Sequence, residues 1–247
     1  MPKLVAFDLD DTLAPSKSPL PDPMRVALLR LLAKRPVAII SGGQFAQFLS
    51  QVINQLPESD LLDDLHLMPT NGTRYVSHAD GAWTEVYAYE LSEANRAECA
   101  VALEAEARAL GLWEERTWGP RIEDRGSQVT FSALGQEAPV AAKKAWDPDG
   151  AKRELLRARV QARLPELDVH SGGSTSIDIT KRGIDKAYGI RNLMELLHLD
   201  ATEILFVGDR LQPGGNDYPV VAVGVLTHAV ESWEDTVAYV NDLIAKL

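Results

Sequence analysis

The amino-acid sequence predicts an α/β protein whose doubly wound parallel sheet is interrupted by an inserted α+β module. Three observations lead there. Short, wholly apolar runs (Leu4 to Phe7, Val37 to Ile40, Ile204 to Val207) alternate with amphipathic stretches at helical spacing, the pattern of strands covered on both faces. That alternation stops near Asp80-Gly81 and resumes after Lys181-Arg182-Gly183, with strands and helices in a different order between. The 247 residues leave room for one large domain or two modest ones.

In chain order, the first strand runs into Asp8, and the turn-rich Ala14-Pro-Ser-Lys-Ser-Pro19 continues it as a loop. Val26, Leu28, Leu29, Leu31 and Leu32 lie at helical spacing within Met24 to Lys34, and Pro36 stops that helix before the strand Val37 to Ile40. Gly42 and Gly43 precede a second helix, Gln44 to Gln55, and His66 to Gly72 reads as a strand with a turn. The inserted module carries a helix from Ser92 to Leu110, a strand from Gln128 to Ser132, a basic helix from Ala151 to Arg163 and an alternating strand from Thr175 to Ile179. The core resumes with a helix from Lys186 to Leu197, a strand from Ile204 to Val207 and a strand from Val220 to Val223. Ser232-Trp-Glu-Asp235 then resembles a capping box for a terminal helix. The expected domains are 1–81 plus 183–247 for the core and 82–182 for the insertion.

Composition narrows the function. Lys+Arg 25 against Asp+Glu 36 gives a net charge of −11, which repels phosphate backbones and argues against nucleic acid as a partner. No apolar run approaches the roughly 18 residues of a membrane helix, so no membrane partner is expected. Leu4 to Leu9 is too short for a signal peptide, and the single cysteine, Cys99, fits a reducing compartment; a cytoplasmic location is the expectation. An anionic small molecule would need a local cluster of cations or a metal.

Ligands of open parallel sheets bind beyond the carboxyl ends of the strands, and Asp8, Asp10 and Asp209 each lie at or just past such an end. Three converging carboxylates cannot stay ionised without a cation, and an all-oxygen set points to Mg²⁺. A carboxylate can also attack phosphorus while a neighbouring acid protonates the leaving oxygen. The bland alternatives are a solvated turn for the acids, a helix N-cap for Ser41 and steric relief for Gly214 and Gly215. The five histidines are scattered, with no zinc-binding spacing.

Asp8-Leu-Asp10-Asp-Thr12, Ser41 after a strand, Lys186, and Gly208-Asp209 with Asn216-Asp217 resemble the four motifs of the haloacid dehalogenase superfamily of phosphotransferases. Gly172-Gly-Ser-Thr-Ser176-Ile-Asp178, Gly183-Ile-Asp185-Lys186 and Gly208-Asp-Arg-Leu-Gln-Pro-Gly-Gly-Asn-Asp217 are further similar to the α-phosphomannomutase family of its type IIB branch. The resemblance covers nearly the whole chain and implies a Rossmann-like core with an α+β cap of type C2B. It implies Asp8 as the nucleophile that becomes aspartyl-phosphate, and Asp10 as general acid/base whose backbone carbonyl also faces the metal. Asp209 would be a metal ligand and Asp217 would touch the metal or stand one layer behind. Ser41, Gly42 and Lys186 would hold the phosphoryl oxygens. The family usually has glycine where Asp11 stands.

The same resemblance makes the cap choose the substrate. Arg125 matches a phosphate-binding arginine, whereas Gln136 and Lys143 stand where the family carries a second and commonly a third, which weakens bidentate capture. Ser176 and Asp178 match positions that contact sugar hydroxyls or phosphate, and Lys17 replaces an arginine of the core loop. The expected function is Mg²⁺-dependent phosphoryl transfer on a small phosphorylated sugar, with hydrolysis preferred to isomerisation because of Gln136 and Lys143. A phosphohexomutase is the alternative, a catalytically silent sugar-phosphate sensor is the alternative of another class, and a homodimer is compatible with either. No GxGxxG follows the first strand, which removes a dehydrogenase.

Overall fold

The computed structural model describes residues 1–247. The chain begins β1 (Leu4–Phe7), α1 (Asp22–Leu32), β2 (Val37–Ile40), α2 (Phe45–Gln51), β3 (Leu65–Met68), α3 (Pro69–Gly72), β4 (Arg74–Ala79) and β5 (Ala82–Ala88). It continues α4 (Glu93–Ala109), β6 (Ile122–Asp124), β7 (Gln128–Ser132), α5 (Val140–Trp146), α6 (Ala151–Arg163), β8 (Leu167–Ser171) and β9 (Ser176–Lys181). It ends α7 (Lys186–Leu197), β10 (Ile204–Gly208), α8 (Tyr218–Val221), β11 (Leu226–Ala229) and α9 (Trp233–Ile244). None of these helices is long and apolar enough to cross a membrane.

Two compact units result: Met1–Ala88 with Asp185–Leu247, and Tyr89–Ile184. The first holds a seven-stranded sheet in the order β11-β10-β1-β2-β3-β4-β5, parallel from β11 to β3 and antiparallel beyond. The side-chain period of two divides each central strand between two cores. Val5, Phe7, Val37, Ile39, Leu205 and Val207 pack with Leu28 and Leu31 of α1 and Val240 of α9. Leu4, Ala6, Ala38, Ile40, Ile204 and Phe206 pack with Ile190 and Leu193 of α7. Wholly apolar strands are therefore the consequence of burial on both faces.

The second unit is a four-stranded antiparallel sheet in the order β6-β7-β9-β8. Val129, Phe131, Val169, Ile177 and Ile179 line one face and pack against Cys99, Leu103 and Ala107 of α4 and Leu156 and Val160 of α6. The intervening residues Gln128, Thr130, Asp178 and Thr180 point the other way, as strand alternation requires.

Four sequence expectations change. Val220 to Val223 is not a strand: Pro219 opens the short α8 there, only Val220 is buried within it, and the edge strand is the largely exposed β11. Gln44 to Gln55 breaks into α2 and a 3₁₀ turn, Ile53–Gln55. Asp80-Gly81 is a hairpin turn with both residues at positive φ (51° and 75°), and β5 beyond it pairs with β4 inside the core sheet. Residues 82–88 therefore lie with the core unit, and the sheet carries an antiparallel edge that the apolar pattern did not disclose.

Helix α7 owes its close seat on the sheet to two glycines. Gly72 has φ +82°, and a Cβ there would lie 2.4 Å from the Cα of Gly189. Gly72→Ala is expected to cost roughly 2–4 kcal/mol, combining left-handed strain with overpacking. Gly81→Ala, at φ +75° with nothing within 4 Å, should cost only about 1–2 kcal/mol. Urea denaturation of the two variants checks the difference; equal losses would remove the close contact as the reason for Gly72.

Candidate active site

From β1 the chain steps to β2 on one side, while β10 lies on the other, so the switch point of the sheet is at the carboxyl ends of β1 and β10. Asp8 follows β1 directly and its N–H donates to the Val207 carbonyl at 3.0 Å. Asp209 follows β10. Asp217 returns to the same place from the end of the Gly214-Gly215 loop, where the Arg210 N–H donates to its Oδ2 at 3.0 Å. Glycine is required twice for that return. A Cβ on Gly208 would lie 2.4 Å from the Asp217 carboxylate, and one on Gly215 would lie 2.0 Å from the Arg210 carbonyl. Steric relief at Gly215 thus serves the site rather than a mere turn.

Lys186 enters from the first turn of α7, whose N-cap Asp185 accepts the Tyr188 N–H at 2.9 Å. Its Nζ stands 2.5 Å from Asp8 Oδ1 and 2.5 Å from Asp217 Oδ1. Lys186, Asp8 and Asp217 are all buried. Burial alone would discharge the lysine, but Asp217 and Asp8 outweigh it and hold the ammonium above its ordinary range. Burial pushes Asp8 well up, with Asp217 and Asp209 adding to it and Lys186 opposing. Asp209 is raised by burial and by Asp217.

Oxygens of Asp8, Asp209 and Asp217 lie within 4.8 Å of one another, so one ammonium faces three carboxylates. That surplus of negative charge, carried only by oxygen donors, fits a hard divalent cation. Thr12, buried beside it, donates to Asp209 Oδ1 at 3.3 Å and orients that carboxylate.

The Asp10 carboxylate is engaged elsewhere. Its Oδ1 accepts the Lys17 N–H at 2.7 Å and Gln51 Nε2 at 3.3 Å, and its Oδ2 accepts Gln47 Nε2 at 3.0 Å. Asp11 has φ 61°, the left-handed region that glycine tolerates best and aspartate better than most, which explains the residue type at that point. Ser41, buried after β2, accepts the Gly43 N–H on its Oγ at 3.1 Å; the N-cap of α2 is Gln44. Behind it, Thr70 and Asn71 both hold positive φ (49° and 57°), and their N–H groups donate to the Gly43 and Ser41 carbonyls. A β-branched residue in that region is strained, and here the strain shapes the Ser41-Gly42-Gly43 loop. Sequence reasoning named Thr12 only as the end of the first motif, read a turn at Asn71-Gly72 without a link to the site, and missed Gln47 and Gln51.

In the second unit, the Arg125 guanidinium grips Glu123 Oε2 at 2.8 and 2.6 Å. Lys143 Nζ donates to the Gln136 carbonyl at 2.9 Å, so the two positions that depart from arginine touch each other. Ser176 and Asp178 lie on β9, and Thr130 Oγ1 donates to Asp178 Oδ1 at 2.7 Å.

The model of the eukaryotic phosphomannomutase family matches residues 24–246. The chain is 26% identical to the phosphomannomutase of Saccharomyces cerevisiae over 97% of its length and 93% of the relative's, and 28% identical to that of Spinacia oleracea over 98% and 96%. Among solved structures it is similar to the Plasmodium falciparum IMP-nucleotidase (TM-score 0.73, 15% identity, 98% of this chain and 70% of that one). The first figures hold for the N-terminally truncated form of that protein. A haloacid dehalogenase-like hydrolase from Bacteroides thetaiotaomicron gives a TM-score of 0.65 at 16% identity, over 98% and 100% of the chains. At such identities the two structures attest the fold.

Lys186→Met should lower stability by about 3–5 kcal/mol at neutral pH, because it strands buried carboxylates without their cation. Chemical denaturation in the absence of divalent ions measures it. A loss below about 1 kcal/mol would mean that the ammonium does not neutralise the cluster.

Proposed function

The chain belongs to the eukaryotic phosphomannomutase family, and from that premise we propose that it moves a phosphoryl group within a small phosphorylated sugar through an aspartyl-phosphate on Asp8. The observation that carries this reading is the buried Asp8–Lys186–Asp217 arrangement with Asp209 beside it. Lys186 donates to Asp8 Oδ1 and leaves Oδ2 to attack phosphorus. Once Oδ2 carries a phosphoryl group, taken first from a sugar bisphosphate, Asp10 accepts the proton of a sugar monophosphate's free hydroxyl as that oxygen attacks phosphorus and the Asp8 carboxylate leaves, which gives the bisphosphate. After the sugar has turned round, Oδ2 attacks its other phosphorus, the bond from that phosphorus to the sugar oxygen breaks, and Asp10 returns the proton to that oxygen. Ser41, the Gly42 backbone, Lys186 and Lys17 hold the phosphoryl oxygens.

Asp8, Asp209 and Asp217, with the Asp10 backbone carbonyl, would hold Mg²⁺, which would supply charge to stabilise the phosphoryl oxygens in the transition state. In the second unit Arg125, Lys143 and Gln136 receive the distal phosphate, and Ser176 and Asp178 read the sugar.

Residues alone favoured hydrolysis; the phosphomannomutase relatives, matched over nearly their whole length, support isomerisation instead. Hydrolysis stays as the second reading on one observation: Arg125 is already committed to Glu123, and Gln136 adds no charge. A mutase has to retain its bisphosphate intermediate, which a weak clamp releases.

The test follows mannose 1-phosphate by phosphorus NMR with Mg²⁺ and a trace of hexose bisphosphate. The 6-phosphate should appear about tenfold faster than inorganic phosphate, a difference of about 1.4 kcal/mol in barrier. Release of inorganic phosphate as the faster process would transfer the chain to the phosphatases.

Asp8→Asn should retain the fold, judged by circular dichroism, and lose activity by at least about 10³-fold. Activity within about tenfold of the parent would remove Asp8 as the nucleophile.

A further inference from the structure

On the polar face of the second unit's sheet, Thr130 of β7 stands opposite Asp178 of β9 in register. Thr130 Oγ1 donates to Asp178 Oδ1 at 2.7 Å, and Gln128 Nε2 donates to Thr130 Oγ1 at 2.9 Å. Gln128 and Thr130 are buried, 0% and 2% exposed, whereas Asp178 is only partly so. The chain of bonds has a direction. A hydroxyl has one proton, and because the Thr130 oxygen receives the Gln128 amide, that proton is committed to Asp178.

The other Asp178 oxygen lies against the backbone of Gly172. A Cβ on Gly172 would lie 2.7 Å from Oδ2, so that oxygen occupies the space an absent side chain leaves. A carboxylate held at one oxygen by a buried donor has its orientation set by that bond, and a carboxylate can only accept. A phosphate oxygen, itself an acceptor and negatively charged, is repelled by such a group. A hydroxyl satisfies it.

We propose that Thr130, with Gln128 behind it, is a positioning pair that fixes Asp178 to accept a hydrogen bond from a sugar hydroxyl rather than to approach a phosphate. The inference rests on the phosphosugar reading above and names the group that Asp178 recognises. Neither residue touches the reacting atoms; their effect passes through Asp178.

Steady-state kinetics on mannose 1-phosphate with Mg²⁺ test it. Thr130→Val, which keeps the shape and removes the hydroxyl, should raise KM by about 5- to 30-fold, the usual worth of one buried hydrogen bond to a charged group, and alter kcat by less than about twofold. Thr130→Ser should bring KM back to within about threefold of the parent. In an Asp178→Ala background, Thr130→Val should add less than about twofold, since the partner is gone. Gln128→Met serves where Thr130→Val fails to fold; freeing the Thr130 hydroxyl to turn should raise KM by about 2- to 5-fold. An active parent with Thr130→Val and Gln128→Met kinetically unchanged overturns the inference alone, as do equal effects with and without Asp178. A parent that turns over no phosphorylated sugar overturns the phosphosugar reading and this inference with it.

Discussion

A single ammonium buried between two carboxylates governs the core unit. Lys186 has no solvent to fall back on, and neither does Asp217, so each is tolerable only because the other is there. Holding them 2.5 Å apart demands that three separate pieces of chain converge: the end of β1, the first turn of α7, and the return of the loop after β10. The surrounding departures from ordinary residue choice follow. Gly208 and Gly215 make room for the Asp217 carboxylate and its loop, and Gly72 and Gly189 let α7 approach closely enough to deliver the lysine. The site is thus specified by absences of side chain as much as by charged groups.

Much of this was visible in the amino-acid sequence, for definite reasons. Strands buried on both faces leave unbroken apolar runs, so β1, β2 and β10 stand out, and an acid at the end of such a run is conspicuous. Lys186 opening a helix, against the dipole, announces a role other than solvation. Val220 to Val223 misled because a short apolar run has no period of its own; Pro219 held the better clue. The antiparallel β5 was hidden because its exposed face mixes residue types, with Val86 open to solvent and Glu85 paired to Arg74.

The partners of functional residues were the least visible part. Gln47 and Gln51 read as unremarkable polar positions of a helix until their spacing of four is set against Asp10, whose two oxygens they share. Thr70 and Asn71 carry left-handed backbone that no propensity scale would assign to a threonine. Thr130 is a β-former on a strand, and only the register with β9 shows that its hydroxyl is spent on Asp178. Such roles arise from pairing between distant segments, and one-dimensional pattern holds no record of it.

The two units satisfy their charges differently. In the core, three carboxylates against one lysine leave a deficit of positive charge at the proposed phosphoryl site. A divalent cation there and the anionic group therefore assist each other's binding, because each offsets the repulsion that opposes the other. In the second unit the basic groups are already partly satisfied, Arg125 by Glu123 and Lys143 by a backbone carbonyl, so an anion binding there would have to compete with internal partners.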